Sequence, residues 1–355
     1  MKNNLRNGIA LSLIPQIMLV QWLALHPQWV ENYYSNGIYP VVSKFFRTLY
    51  GWVPFSVGEL IYSTLIILAI RYLIINRKKI KGNKLIFVRD TVMVLSVLYF
   101  TFNLTWGLNY YREPLAERLE IKNEASFDTI KALAEKLITR TNALQFKITQ
   151  DSSAMVKVPY TKKEIFDKTI ASYADLESQM PYLGYHRPNI KNSMYSIMSS
   201  YMGIGGYLNP FTNEAQVNSK TPMFRFPVVS GHEIGHQVGY SAENETNFIG
   251  YLVTLKNKDP YFQYSATSYA LSHCLNALGR DDEQLTRTLY ATLNEGVRKN
   301  YKELQDFQEA YENPIEPIFK SIFSAFLKAN NQADGIQSYG KAVNLIVGYH
   351  EKHPL

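Results

Sequence analysis

The spacing of apolar and polar positions divides the chain into two regions. Before position 110 the apolar residues form three long runs, at 9–25, 53–75 and 91–108. Each has nearly the ~20 residues needed to cross an apolar layer of about 30 Å. Polar interruptions are few: Pro15, Gln16 and Gln21 in the first run, Glu59 and Arg71 near the ends of the second, and Asn103 in the third. Such groups face neighbouring spans or reach water from near the interface. The pattern predicts three transmembrane helices. A cleaved signal peptide is the rival reading of the first run, but no small-x-small cleavage site follows Leu25.

After Arg112 the apolar runs shorten and take on helical and strand periods. Helices are expected over 127–142, opened by Ser126, and over 162–179, opened by Thr161. The alternation of Met194, Ser196 and Met198 predicts a strand over 193–200, and a second strand is expected over 206–218, after the flexible Gly203-Ile-Gly-Gly206. Asn213 and Glu214 on it read as turn or rim polar groups. Further helices are expected near 248–257, 262–278, 282–299 and 314–328. The predicted fold is α+β, mainly α. A membrane domain, 1–111, with three transmembrane helices at about 9–25, 53–75 and 91–108, precedes an extracytoplasmic domain with a small sheet, 112–355.

The net charge of +7 suggests nucleic acid until its location is considered. Eight cations (Lys2, Arg6, Arg77, Lys78, Lys79, Lys81, Lys84 and Arg89) less Asp90 already give +7, so the rest of the chain sums to zero. The basic excess is topological. The N-terminus and 76–89 are densely basic, whereas 26–51 holds only Lys44 and Arg47. The positive-inside rule therefore places the basic segments in the cytoplasm and everything after Asn109 outside. Trp22, Trp29, Tyr33, Tyr34, Trp52, Trp106, Tyr110 and Tyr111 are expected at the outer interface, and 38–51 suits either a helix on that surface or a loop. Cys274, the sole cysteine, reads as a buried small hydrophobe, and His273 beside it as a packing residue.

One stretch carries chemistry: Val228-Val-Ser-Gly-His-Glu-Ile-Gly-His-Gln-Val-Gly239, containing His232-Glu233-x-x-His236. Residues four apart on a helix share a face, so both imidazoles can ligate one metal ion, with Glu233 beside them to take a proton from a water on that metal. Zinc suits two imidazoles, a carboxylate and a water. Pro227 and Ser230 are expected to start this helix and Gly239 to stop it. A second helix, capped by Ser241, would carry Glu243 and Glu245 in its first turn. Glu243 is the preferred third ligand and Glu245 the alternative. Glu243-Asn-Glu-Thr-Asn247 resembles the Glu-x-x-x-Asp pattern of the glutamate zincins, with Asn247 placed to orient a ligating histidine. A metzincin-like spacing would put the third ligand at Ala242, which cannot bind metal. Tyr339, in a loop-like segment, is a candidate donor to an oxyanion. The strand ahead of the metal helix could pair with an extended peptide, or serve only as core.

Together these motifs resemble a bacterial family, the domain of unknown function 3810, grouped with HExxH zincin-type metallopeptidases. The resemblance covers nearly the whole chain. It rests on Trp106-Gly-Leu-Asn-Tyr-Tyr-Arg112, Met202-Gly-Ile-Gly-Gly206, Pro210-Phe-Thr-Asn-Glu-Ala-Gln-Val-Asn218, the stretch His232 to Phe248, Tyr264-Ser265 and Ser338-Tyr-Gly340. The chain departs from the family at Thr246, where a small residue is usual, and at Asn213, where glycine is usual. The resemblance implies a membrane-anchored metalloprotease-like domain and carries no substrate with it. Joined to the reading of the residues, it gives the expectation of a zinc metallopeptidase in a bacterial inner membrane, acting on a peptide or protein. Two alternatives stand beside it: an inactive peptide- or envelope-binding module on the same scaffold, and an amidase acting on cell-wall material.

Overall fold

The computed structural model describes residues 2–355; the side chains of Lys2, Ile336 and Tyr339 lie outside that description. Three helices are long and apolar enough to cross a membrane, at Asn3–Ala24, Val57–Gly82 and Lys84–Thr105. The first consists of α1 (Lys2–Leu11) and α2 (Leu13–Ala24). Pro15 has no N–H for the Leu11 carbonyl, and the helix breaks at Ser12. The polar groups there turn toward a neighbouring span, as expected: Ser12 Oγ and Gln16 Nε2 reach Ser96 Oγ at 3.1 and 2.9 Å.

Between the first two spans the chain winds as a π-helix, Val30–Ile38, and then as α3, Tyr39–Tyr50. The stretch 38–51 is thus mainly helix rather than loop, with Val41, Phe45 and Leu49 exposed on one side. Its Tyr39, Ser43 and Arg47 are buried against the C-terminal region. The second span is α4 (Val57–Gly82) and the third α5 (Lys84–Thr105).

The remainder is mostly helical: α6 (Phe127–Thr149), α7 (Lys162–Glu177), α8 (Ser196–Tyr201), α9 (Phe226–Gln237), α10 (Glu243–Lys256), α11 (Pro260–Asp281), α12 (Glu283–Ala291), α13 (Glu295–Ala310), α14 (Glu316–Ala329) and α15 (Ala342–Lys352). Ser126 accepts from Thr129 N–H, and Thr161 and Glu164 form a capping box, so both expected starts are met. Packing of α6, α10, α11 and α15 builds the main core, around Leu137, Tyr251, Leu271 and Ile346. Cys274 is fully buried in it, as expected, and burial pushes its thiol up to about 12.

Three strands form a sheet in the order β1 (Ile190–Asn192), β3 (Glu214–Val217), β2 (Gly206–Asn209). β1 runs parallel to β3, and β2 antiparallel to it with Gly206 opposite Val217 and Asn209 opposite Glu214. Two strand expectations are corrected. Most of 193–200 is the helix α8, because Ser196 and Ser200 bond backward along a helical turn (Ser200 Oγ to Ser196 O, 2.9 Å) rather than to a neighbouring strand. The stretch 206–218 is a hairpin, turned at Asn213, whose φ of +51° explains the glycine usual there. The helix expected over 282–299 is two, broken after Ala291.

Glu214 is no rim group. It is fully buried and accepts from Val57 N–H (3.1 Å) and Gly58 N–H (2.6 Å), so it caps the N-terminus of the second span. Lys191 Nζ lies 2.6 Å from it and also donates to the Tyr50 and Phe55 carbonyls. Glu59, one turn into that span, accepts from Ser193 Oγ, Met194 N–H and Tyr207 OH. The interfacial aromatics also divide. Trp22, Trp29, Tyr33 and Trp52 are exposed, but Tyr34, Trp106, Tyr110 and Tyr111 are buried in a second core cluster that joins the spans to α14.

Candidate metal centre

The helix that carries His232 and His236, α9, crosses α10 with the two backbones in contact. A Cβ on Gly231 would lie 3.1 Å from Gly250 Cα, and one on Gly250 would lie 2.8 Å from His232 N and Val228 O. Only paired glycines allow this approach, and it brings the first turn of α10 to the histidine face of α9. Pro227 stands at the start of α9 as expected, but Ser230 is one turn inside, its hydroxyl donating to Phe226 O. At the far end Gly239 has φ of +96°, with Gly239 N–H bonded to His236 O and Tyr240 N–H to Gly235 O. That is a Schellman ending.

The last carbonyls of a helix need donors from elsewhere. Here the N-terminal region supplies them. Trp106 Nε1 donates to His236 O (3.3 Å), Tyr39 OH to Gln237 O (2.9 Å) and Arg112 to Gly239 O (2.8 Å). Arg112 is itself paired bidentately with the buried Glu31 at 2.8 Å, and its guanidinium lies 4.1 Å from the Tyr240 ring centre. Glu31 also meets Arg118. Although burial opposes the charge, the two arginines hold the Glu31 carboxyl below its ordinary value.

His232, Glu233 and His236 bring ligand atoms within 4.8 Å of one another, a group that could hold a metal ion. Glu243 joins them, with Oε2 at 3.4 Å from His232 Nε2 and 3.7 Å from His236 Nε2. The Tyr240 carbonyl, 2.7 Å from His236 Nδ1, can only accept. Nδ1 therefore carries the hydrogen and Nε2 is aimed at Glu243. Glu233 Oε2 and Glu243 Oε2 are buried without a hydrogen-bond partner among the described residues. Two orphaned carboxylate oxygens facing two imidazole nitrogens form a donor set for a cation. Burial would raise Glu243, but the two histidines prevail and lower it to about 2. Burial dominates at Glu233 and lifts it to about 7 against the pull of the same histidines.

The other expected residues have different places. Glu245, the alternative ligand, turns away and accepts from Leu115 N–H at 2.6 Å. Burial lifts its carboxyl to about 7. Asn247 lines the cavity at the site, while the orienting bond to His236 comes from Tyr240. The side chain of Tyr339 lies outside the described residues. Ser241 does not cap α10; Ala242 occupies the cap position, and Gln332 offers Oε1 to Glu243 N–H (3.4 Å). His273 meets the Tyr269 ring edge-on at 4.6 Å, and burial lowers it to about 4. Sequence reasoning missed Tyr39, Arg112 and Gln332. Trp106 and Arg112 open and close a polar-aromatic cluster directly after a span, the one signal that could have drawn attention to them.

A family profile matches residues 34–347, a stretch that contains this site. The chain belongs to that family, protein of unknown function DUF3810. No curated protein and no solved structure shows a significant match. The stretch shared with the family takes in Tyr39, Trp106, Arg112 and both metal-site helices, so the buttress of α9 falls within it.

Beside the site is a cavity of about 730 Å³. His232, Glu233, His236 and Glu243 line one end, together with the edge strand β2. Most of the remaining wall is apolar, and it includes Tyr62 of the second span, Phe102 of the third and Phe323 of α14. Gly206 is pressed against the Glu233 carboxylate and, for a Cβ, would stand 2.6 Å from Gln216 O, so no larger residue fits.

Proposed function

We propose that this protein is a membrane-anchored zinc-dependent peptidase, with His232, His236 and Glu243 as ligands and Glu233 as general base. The observation that carries the reading is the position of Glu243 Oε2, 3.4 and 3.7 Å from the two Nε2 atoms. Zinc–ligand bonds of roughly 2.0–2.2 Å in a tetrahedron separate neighbouring donor atoms by about 3.4 Å. Zinc bound there would supply a Lewis acid and an acidified water. With zinc held there, Glu233 would accept the water's proton and return it to the leaving amine, a role that suits a carboxylate lifted toward neutrality by burial. A peptide is favoured over cell-wall polymer because the edge strand offers backbone hydrogen bonds and the cavity is mainly apolar. A pure binding module would have no use for the partnerless Glu233. The positive-inside rule supports an extracytoplasmic site in a bacterial inner membrane.

The test uses the full chain in detergent, because residues before 112 complete the end of α9. Elemental analysis is expected to find about one zinc per chain, lost in His232→Ala and Glu243→Ala. Glu233→Gln should keep the metal and lose turnover by roughly 10²–10⁴-fold on a peptide library. Wild type without metal, after purification free of chelators, would sink the reading. Metal retained with no hydrolysis in any variant would favour the binding module.

A further inference from the structure

We infer that the substrate reaches the site from within the bilayer: a peptide whose apolar membrane-embedded segment lies in the cavity while its adjoining extended stretch pairs with β2 at Glu233. This deepens the peptidase reading and rests on it. The first observation is where the walls come from. Tyr62 lies five residues inside α4, about 7 Å along its axis, and Phe102 three residues before the end of α5. The cavity that ends at the histidines therefore reaches the first turns of α4 and the last turn of α5.

The second observation is the third wall. Phe319, Phe323 and Phe326 of α14 line the cavity, and Phe326 packs edge-on against Phe102 and Tyr110. On its outward side α14 shows Ile318 and Ile322, 60% and 65% exposed, beside Ile315. Across from it α8 shows exposed Ile197 and Met198, and Met198 also lines the cavity. Asn313 Nδ2 donates to Tyr201 O at 2.7 Å and joins the two helices. Tyr195, just before α8, bonds the second span through Glu59 O and Ser63 Oγ. Two short amphipathic helices fastened to the spans, with aliphatic side chains turned outward, are built to lie in the acyl boundary. Apolar surface thus runs from the lipid-facing spans into the cavity.

The third observation selects a peptide over an acyl chain alone. β2 is an edge strand; among the described residues its second edge has no strand partner, and Gly203 to Leu208 line the cavity beside Glu233. An extended backbone added there would pass the catalytic carboxylate.

The experiment has two parts and needs no hydrolysis. Single cysteines at Ile318, Ile322 and, as control, the exposed Lys302 are labelled with bimane in the full chain; buried Cys274 needs no replacement. In phosphatidylethanolamine–phosphatidylglycerol vesicles, lipids brominated near the glycerol should quench positions 318 and 322 and spare 302. Equal quenching at all three would overturn the membrane contact. Glu233→Gln chain is then irradiated with a benzophenone-bearing extended peptide in three forms: fused to an apolar span of about 20 leucines and alanines, linked to a phospholipid headgroup, or free. The fused form is expected to crosslink to residues 203–208 roughly tenfold more than the others, the gain that holding both ends of the substrate allows. Equal labelling by the free form overturns entry from the bilayer, and equal labelling by the lipid-linked form overturns the apolar peptide span as occupant. Failure of the peptidase reading would instead appear as a crosslinked wild type that never cleaves.

Discussion

Glu233 and Glu243 are both buried carboxyls, yet their environments drive them apart. Glu243 faces two imidazoles and stays charged, whereas Glu233 has a glycine strand on one side and is pushed toward neutrality. Under the proposed function, the separation is what a ligand and a base would require of identical side chains. A different residue contributes to acid stability. His273 is held neutral with its value lowered to about 4, against 6.5 in an open chain. Its folded value is depressed, so the unfolded state takes up the proton first. The associated stability is complete above pH 6.5 and is lost as pH falls from 6.5 toward 4. Denaturation midpoints measured across that window should fall less steeply in His273→Gln than in wild type.

At the scale of elements, two contacts hold α9 where the chemistry needs it. The Gly231–Gly250 crossing determines how far α10 approaches, and through it the reach of Glu243. Gly250→Ala places a methyl 2.8 Å from His232 N and Val228 O. We expect it to cost about 1–3 kcal/mol of stability from overpacking. Zinc affinity should fall roughly 10–100-fold, the range typical when ligand positioning is disturbed; titration calorimetry against a competing chelator would measure it. The second contact is Arg112, which binds Gly239 O and the buried Glu31 together. Arg112→Ala leaves Glu31 with the half-buried Arg118 and the Asn36 amide in place of a buried bidentate partner. A loss of about 3–5 kcal/mol is expected from stranding a buried charge, seen as a lowered urea midpoint. Arg112→Ala with Glu31→Gln should be milder than Arg112→Ala alone.

For the whole molecule, the spans are part of the site rather than a tether. The segments that adjoin them close the end of α9 through Tyr39 and Trp106, the second span receives Glu214 at its start, and the second and third spans wall the cavity. Orientation then decides which compartment the site serves. Cysteines placed at Lys79 and Lys302, challenged on intact cells with a membrane-impermeant maleimide, should label only at 302. Labelling at 79 alone would put the domain in the cytoplasm.

Much of this was legible from the chain. Three apolar runs needed only counting, because bilayer thickness dictates their length. His232, Glu233 and His236 needed only the helical period. Local signals also located Ser126, Thr161, Gly239 and the first-turn Glu243 and Glu245. Tertiary structure separated those two glutamates: one turn of helix presents them to different neighbours, and the glycine crossing brings Glu243, not Glu245, to the histidines. It likewise turned the alternation near Met198 into a helix, and it made Glu214 an anchor. Tyr39, Trp106 and Arg112 act on α9 from 127 to 198 residues away along the chain. No periodicity or spacing connects such positions; their roles arise because buried carbonyls at a helix end must find donors, and folding alone determines which side chains are there to provide them.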